Sequence, residues 1–329
     1  MSATPWPARD RRILLWLTAM AVCWRWLLAM HTPLPALDAL RDLRIAAGIG
    51  DGWFGPWSGL LAAARALGFD PFEASKLLGS VAGGLALVPA ACAAQRWRAD
   101  AGLPTAVLMF TLPPATVAAA GGSPIGWYEL AVGFLLWALA ARRFALAVLP
   151  AAFAALGSFE LTLARGELGA EAGIVAPSLA FQVEILFGVG APVVVGLLLA
   201  RLRVRLRDLL LAIAAGFALW ATWTSANRPA PIVERHVGEL LSDRLVPGAP
   251  LASEFARVAW FAGAPPGVPN PQDLAEQVRD GRLGALVVRT ATARTLADTL
   301  ARHYVRLELA PKAEDLAREH GLAVFLRRE

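Results

Sequence analysis

Apolar runs of membrane-crossing length alternate with short polar links through the first two thirds of the chain. A helix needs about 20 apolar residues to cross the hydrocarbon of a bilayer, with a working range of about 17–25. On that measure the pattern predicts spans near 12–30, 77–95, 103–121, 125–141, 144–163, 177–200 and 208–225, about seven in all. The first link, residues 31–76, is longer than the others and has its own pattern. Leu37 to Ala47 places Leu40, Leu43 and Ala47 on one side and Asp38, Arg41 and Asp42 elsewhere, which predicts a short amphipathic helix. Gly48, Gly50 and Gly52 end it. Pro56 opens a second helix, Trp57 to Leu67, closed by Gly68. That piece is apolar but too short to span, and Trp53 and Trp57 suit the headgroup level.

The pattern changes at Asn227 to Pro231. Beyond it the chain predicts helices over Val233 to Leu245, Phe255 to Phe261, Pro271 to Asp280, Ala293 to Arg302 and Ala313 to His320. Strands are expected at Pro250 to Ser253, Leu283 to Arg289, Tyr304 to Leu309 and Leu322 to Leu326. The alternation implies a small α/β layer with a mostly parallel sheet. The expected organisation is a membrane module, 1–227, followed by an extracytoplasmic α/β domain, 228–329.

Charge orients the module. Arginines cluster at Arg9/Arg11/Arg12, Arg96/Arg98, Arg142/Arg143 and Arg201/Arg203/Arg205/Arg207, with two apolar runs between consecutive clusters. The opposite links carry only Arg41, Arg44, Arg65, Lys76 and Arg165 over much more chain. Positive loops are retained in the cytoplasm, so the N-terminus is expected inside and the tail outside, in a plasma or inner membrane. The apolar content of 57% exceeds the roughly 45–50% of soluble domains. The net charge of +5 sits mostly in the short loops, which argues against nucleic acid as partner. The basic opening followed by Ile13 to Trp24 has the look of a signal peptide. The apolar run continues to Met30 without a clean cleavage site, so an uncleaved span is expected. Cys23 and Cys92 fall toward opposite membrane faces, too far apart for a disulfide. Pro113, Pro114, Pro150 and Pro192 read as packing kinks, and Gly79, Gly83 and Gly84 as points of close helix approach.

No soluble-enzyme motif is present: no GxSxG, HExxH or phosphate-binding glycine loop. The four histidines have no matching partners in the sequence. The candidate chemistry is a set of carboxylates toward the outer face: Asp38, Asp42 and Asp51 in the first loop, Glu129 and Glu160 at the outer ends of spans four and five, and Glu184, beside Gln182, within span six. An ionisable group within a span is costly and is read as functional by default. Glu184 therefore stands either as a site residue or as a partner of Arg25 or Arg165. Arg25, between Trp24 and Trp26, is either a snorkelling side chain or part of the site. Asp38 follows the first span closely. A carboxylate there serves as general base, as a ligand holding a divalent cation against a phosphate leaving group, or as a helix N-cap.

The layout resembles the GT-C class of membrane glycosyltransferases, and most closely the bacterial relatives of protein O-mannosyltransferases and aminoarabinose transferases. The residues that carry the resemblance are Leu37-Asp38-Ala39-Leu40-Arg41-Asp42, Ala46-Ala47-Gly48, Gly55 to Gly68, Ala74 to Gly83, Ala252 to Gly263 and Gly284 to Val288. It implies a lipid-linked donor, a polyprenyl phosphate sugar, with transfer to an acceptor on the outer face. Asp38 takes the place of the family's catalytic carboxylate, with Asp42 one helical turn on. Arg25, Glu129, Glu160 and Glu184 are expected around the substrate, and a divalent cation is the expected cofactor if there is one. The chain departs from the family pattern where Ala39 stands after Asp38 in place of an acidic residue, and in its small number of spans. Both departures leave a non-catalytic relative, a membrane scaffold or lipid-binding partner, as the alternative. A transporter would want internal repeats, and none stands out in the sequence.

Overall fold

The computed structural model describes residues 6–32, 35–36, 39–48, 55–111, 116, 120–156, 178–226, 230–245, 249–263 and 271–328. The chain divides into two compact units. The first holds the described residues of 1–39, 54–163 and 177–227, the second those of 40–53 and 228–329.

The first unit is helical. Its elements are α1 (Ala8–His31), α3 (Pro56–Ala66), α4 (Pro71–Leu85), α5 (Leu87–Trp97), α6 (Gly102–Thr111), α7 (Ile125–Ala140), α8 (Phe144–Leu156), α9 (Ser178–Leu199) and α10 (Val204–Ala226). The intervening α2 (Leu40–Ala47) belongs to the second unit. Two runs, Ala8–His31 and Pro71–Trp97, are long and apolar enough to cross a membrane, and α6, α7 and α8 are shorter apolar helices.

The second run starts earlier than the apolar pattern predicts. Asp70 caps it by accepting the Glu73 N–H at 2.9 Å, with Pro71 at the first helical position. Lys76, expected in a loop, is therefore a buried helical residue, paired with Glu73 at 2.6 Å. The run breaks at Ala86, between α4 and α5. Pro89 explains the break: it has no N–H for the Leu85 carbonyl, and its ring presses on that carbonyl.

Packing in this unit is small inside and large outside. Ala21, Ala86, Ala90, Ala91, Ala94, Ala101 and Ala106 lie in its core around Met109, Tyr128 and Val132. Leu15, Trp16, Phe134, Leu149, Ile213, Phe217 and Trp220 are exposed. Throughout the described residues, the exposed large apolar side chains belong to this unit, except Ile232 and Val305. Close backbone approach through small residues is how helices associate in lipid.

The second unit joins α2 to α11 (Ala230–Arg244), β1 (Leu251–Ser253), α12 (Ala256–Phe261), α13 (Pro271–Arg279), β2 (Ala285–Arg289), α14 (Thr290–Thr295), α15 (Ala297–His303), β3 (Tyr304–Arg306), α16 (Pro311–Glu319) and β4 (Leu322–Arg327). The strands form one sheet in the order β1-β2-β4-β3. Of the neighbouring pairs β1–β2 alone is parallel, with Leu251 opposite Ala285, and β4 runs against the other three strands. The β2–β4 and β4–β3 pairs are antiparallel, with Val287 opposite Val324 and Val305 opposite Leu326. The sheet is mixed, not mostly parallel as the sequence pattern suggests: alternation of helices and strands fixes the layers but not the direction in which a strand enters the sheet. Alternate residues of β2 feed two cores. Ala285 and Val287 pack with Val233, Val237, Leu241, Val258 and Val324; Leu286 and Val288 pack with Leu274, Val278, Leu300 and Tyr304. Burial on both faces is why β2 reads as an unbroken apolar run.

Candidate functional site

The first unit has two chemically distinct ends. At one, Trp6 packs against the helical core, the Gly102 N–H donates to Gln95 Oε1 at 3.3 Å, and Arg96 lies over the Trp137 ring at 5.9 Å. This end gathers the start of α1, the α5–α6 link and the α7–α8 turn. The Arg9/Arg11/Arg12, Arg96/Arg98 and Arg142/Arg143 clusters lie on these three segments. At the other end, the Ala36 N–H donates to Gly121 O at 2.7 Å. Trp223 lies 6.3 Å from Trp24 and 5.8 Å from His31, and Trp57 lies 6.2 Å from Trp127, by ring centroids.

Near this second end α1, α4 and α7 enclose an ion pair. Arg25 Nη1 lies 3.5 Å from Glu129 Oε2, and both side chains are 1% exposed. Glycines make the approach possible. A Cβ on Gly83 would overlap the Arg25 guanidinium, one on Gly84 would overlap Val22, and one on Gly126 would meet the Gly79 carbonyl and the Gly83 backbone. The guanidinium thus crosses α4 over a residue with no side chain to reach a carboxylate on α7. The pair is long, and Nε, Nη1 and Nη2 of Arg25 and both Glu129 oxygens lack a hydrogen-bond partner among the described residues. A guanidinium carries five N–H donors in a fork shaped for a carboxylate or phosphate. The charge of Arg25 is met by Glu129, and the N–H donors that this long pair leaves over make it a candidate anion anchor. The structure departs from the snorkelling reading of Arg25: Gly83 leaves it a path inward, and its head group is buried beside Glu129.

Asp42 is placed differently. It lies on α2 in the second unit, whereas Arg25 and Glu129 lie in the first. Its side chain is 0% exposed, and Arg41 Nη1 donates to Oδ1 at 3.3 Å. Arg44, on the same helix, donates to the Ala256 carbonyl at 3.0 Å, which ties α2 to α12. Asp38, Asp51, Glu160 and the side chains of Gln182 and Glu184 lie outside the described residues. Among the described residues no three His, Cys, Asp or Glu side chains converge as a cation site.

The sequence marked Arg25 and Glu129 separately. Their pairing and the glycine cradle were not legible, because the residues are 104 positions apart by number and α4 sits between them in sequence. Gly83 and Gly84 were the available signal. In the second unit Glu234 lies 3.5 Å from Arg257. Burial holds its carboxyl above the ordinary range, against the opposing pull of Arg257 and then His320.

No protein-family model, curated protein or solved structure matches this chain.

Proposed function

We propose that the chain is a multi-pass membrane glycosyltransferase, with a GT-C-like helical module of about seven spans and its tail domain outside the cytoplasm. It moves a sugar from a polyprenyl-phosphate donor to an acceptor at the outer face. The observation that carries the reading is the buried, hydrogen-bond-poor guanidinium of Arg25, enclosed at the end of the helical unit away from the arginine clusters. The exposed apolar helix surfaces and the aromatic residues at that end support membrane insertion with this end at the outer interface.

In the proposed reaction the acceptor hydroxyl attacks the anomeric carbon as its proton passes to Asp38. The bond from that carbon to the phosphate oxygen breaks, and the lipid phosphate leaves with the electron pair. Arg25 offsets the charge that builds on the leaving phosphate, and Glu129 holds the guanidinium in place. Removing a general base typically costs about 10²–10⁴ in rate. Asp38→Asn should therefore abolish most sugar transfer from a polyprenyl-phosphate donor in proteoliposomes, with insertion unchanged. Full activity in Asp38→Asn beside a dead Asp42→Asn would overturn the assignment of the base.

The alternative is a non-catalytic scaffold or lipid-binding partner of the same architecture. The burial of Asp42 against Arg41 favours it, because that carboxylate is committed to an internal ion pair. Absence of transfer by the wild type with every donor tried, alongside retained binding of polyprenyl phosphate, would select this reading.

A further inference from the structure

A second feature of the helical unit lies outside the proposed transfer site. Between α7 and α8 runs an open groove of about 500 Å³, in the size range of ligand clefts. Its walls are nearly all apolar and include Trp127, Phe134, Trp137, Leu146, Leu149 and Phe153. One extremity reaches the tight α7–α8 turn, where the Arg143 N–H donates to Ala138 O at 2.9 Å and Arg142 takes a φ of 55°. Arg142 and Arg143 are exposed there, and exposed Arg96 lies over the ring of Trp137, itself a groove wall. The groove thus runs from a hydrocarbon-lined trough to a turn that carries Arg142 and Arg143, with Arg96 over one of its walls.

We propose that this groove is a site for an anionic glycerophospholipid of the cytoplasmic leaflet. One acyl chain lies along Phe134, Leu146 and Leu149, and the phosphate is held by Arg96, Arg142 and Arg143. This rests on the reading of the first unit as membrane-spanning with its basic end inside, but not on sugar transfer. The ligand follows from charge and shape together. A zwitterionic lipid carries no net charge for the arginines. A soluble anion has no use for the trough. A donor lipid presenting its sugar at the outer face would place its phosphate at the wrong extremity. Basic pockets between helices on the cytoplasmic side recognise anionic headgroups in this way.

The test is native mass spectrometry of the full-length protein released from bilayers of phosphatidylglycerol and phosphatidylcholine. The wild type should retain one phosphatidylglycerol in preference to phosphatidylcholine. Arg96→Gln/Arg142→Gln/Arg143→Gln should lower that retention about tenfold or more, given the worth of each basic residue near an anionic headgroup. Ala145→Trp, which fills the groove from an exposed position, should abolish it, and Leu146→Trp serves if that variant does not fold. Arg201→Gln, in another basic loop, should leave it unchanged. Equal retention of both lipids, or wild-type retention in the groove-filled variant, overturns the proposal. So does displacement of phosphatidylglycerol by polyprenyl phosphate, which assigns the groove to the donor chain. A reporter fused at Arg143 that reads outside removes the orientation on its own evidence, and the transfer assay stays a separate measurement.

Discussion

At the scale of single residues, Arg25 and Glu129 pose a question that mutation answers. Breaking a buried pair by removing one partner strands the other charge and costs about 3–5 kcal/mol, whereas replacing both by apolar groups is often neutral. Arg25→Leu and Glu129→Leu should each lower the thermal midpoint of the detergent-solubilised protein sharply, and the double variant should recover most of the loss. If the pair also anchors a phosphate, the recovered double variant will still fail to bind polyprenyl phosphate. Recovery of both stability and binding would mark the pair as structural only. Glu234 gives a different kind of prediction. Its carboxyl is held above its ordinary value of 4.5 by burial, offset by Arg257 and His320. A group whose pKa rises on folding contributes stability that is fully present below its unfolded value and is lost as pH climbs through the folded one. The second unit should therefore lose stability as pH rises from about 4 through the raised pKa of Glu234, and Glu234→Gln should flatten that slope. Pulse-labelled hydrogen exchange at β2, after equilibration in urea across this range, reads it directly. An unchanged slope in Glu234→Gln would place the cause elsewhere.

At the scale of elements, α2 is the instructive case. Its helical spacing was legible and Leu40 and Leu43 are fully buried, but Arg41 and Asp42, expected away from that side, are buried as well. Its destination was not. The sequence places it in the first loop beside the membrane, whereas the structure groups it with the tail, where Arg44 bonds the Ala256 carbonyl over a separation of 212 residues. Hydrophobic period tells a helix which face to bury but names no partner. The same limit explains the sheet, whose strands were legible from their apolar runs while the direction of β4 was not. Helix ends were legible where a cap or a proline marks them, as at Pro56 and Gly68, and shifted where Asp70 and Pro71 extend the second run. The role of α2 is testable. A tail fragment of residues 228–329 should be less stable to urea than the same fragment with residues 40–47 fused to it, and Arg44→Ala should remove part of that gain. Equal urea midpoints for the two fragments would show that α2 adds nothing to the tail.

At the scale of the whole molecule, the property that decides the proposed function is orientation across a membrane. Ala8–His31 and Pro71–Trp97 qualify as spans by length and composition, and the exposed Leu, Phe and Trp of α8 and α10 match a hydrocarbon surroundings. The tail is different in kind: a sheet buried on both faces, with few exposed large apolar groups. A chain built this way should place its two parts in different solvents. In the proposed orientation the eleven arginines of the four clusters mark the cytoplasmic side, because positive loops are retained there. Reporter fusions at Arg143 and at position 230 should read inside and outside, respectively. Mutating Arg9, Arg11 and Arg12 together to glutamine should weaken the N-terminal bias and produce a mixed population, since the first helix usually dominates topology. An inside signal at position 230 in the wild type would reverse the tail. It would remove the outer-face site with it, because Arg25 and Glu129 would then lie toward the cytoplasm, where a donor presenting its sugar outside does not reach.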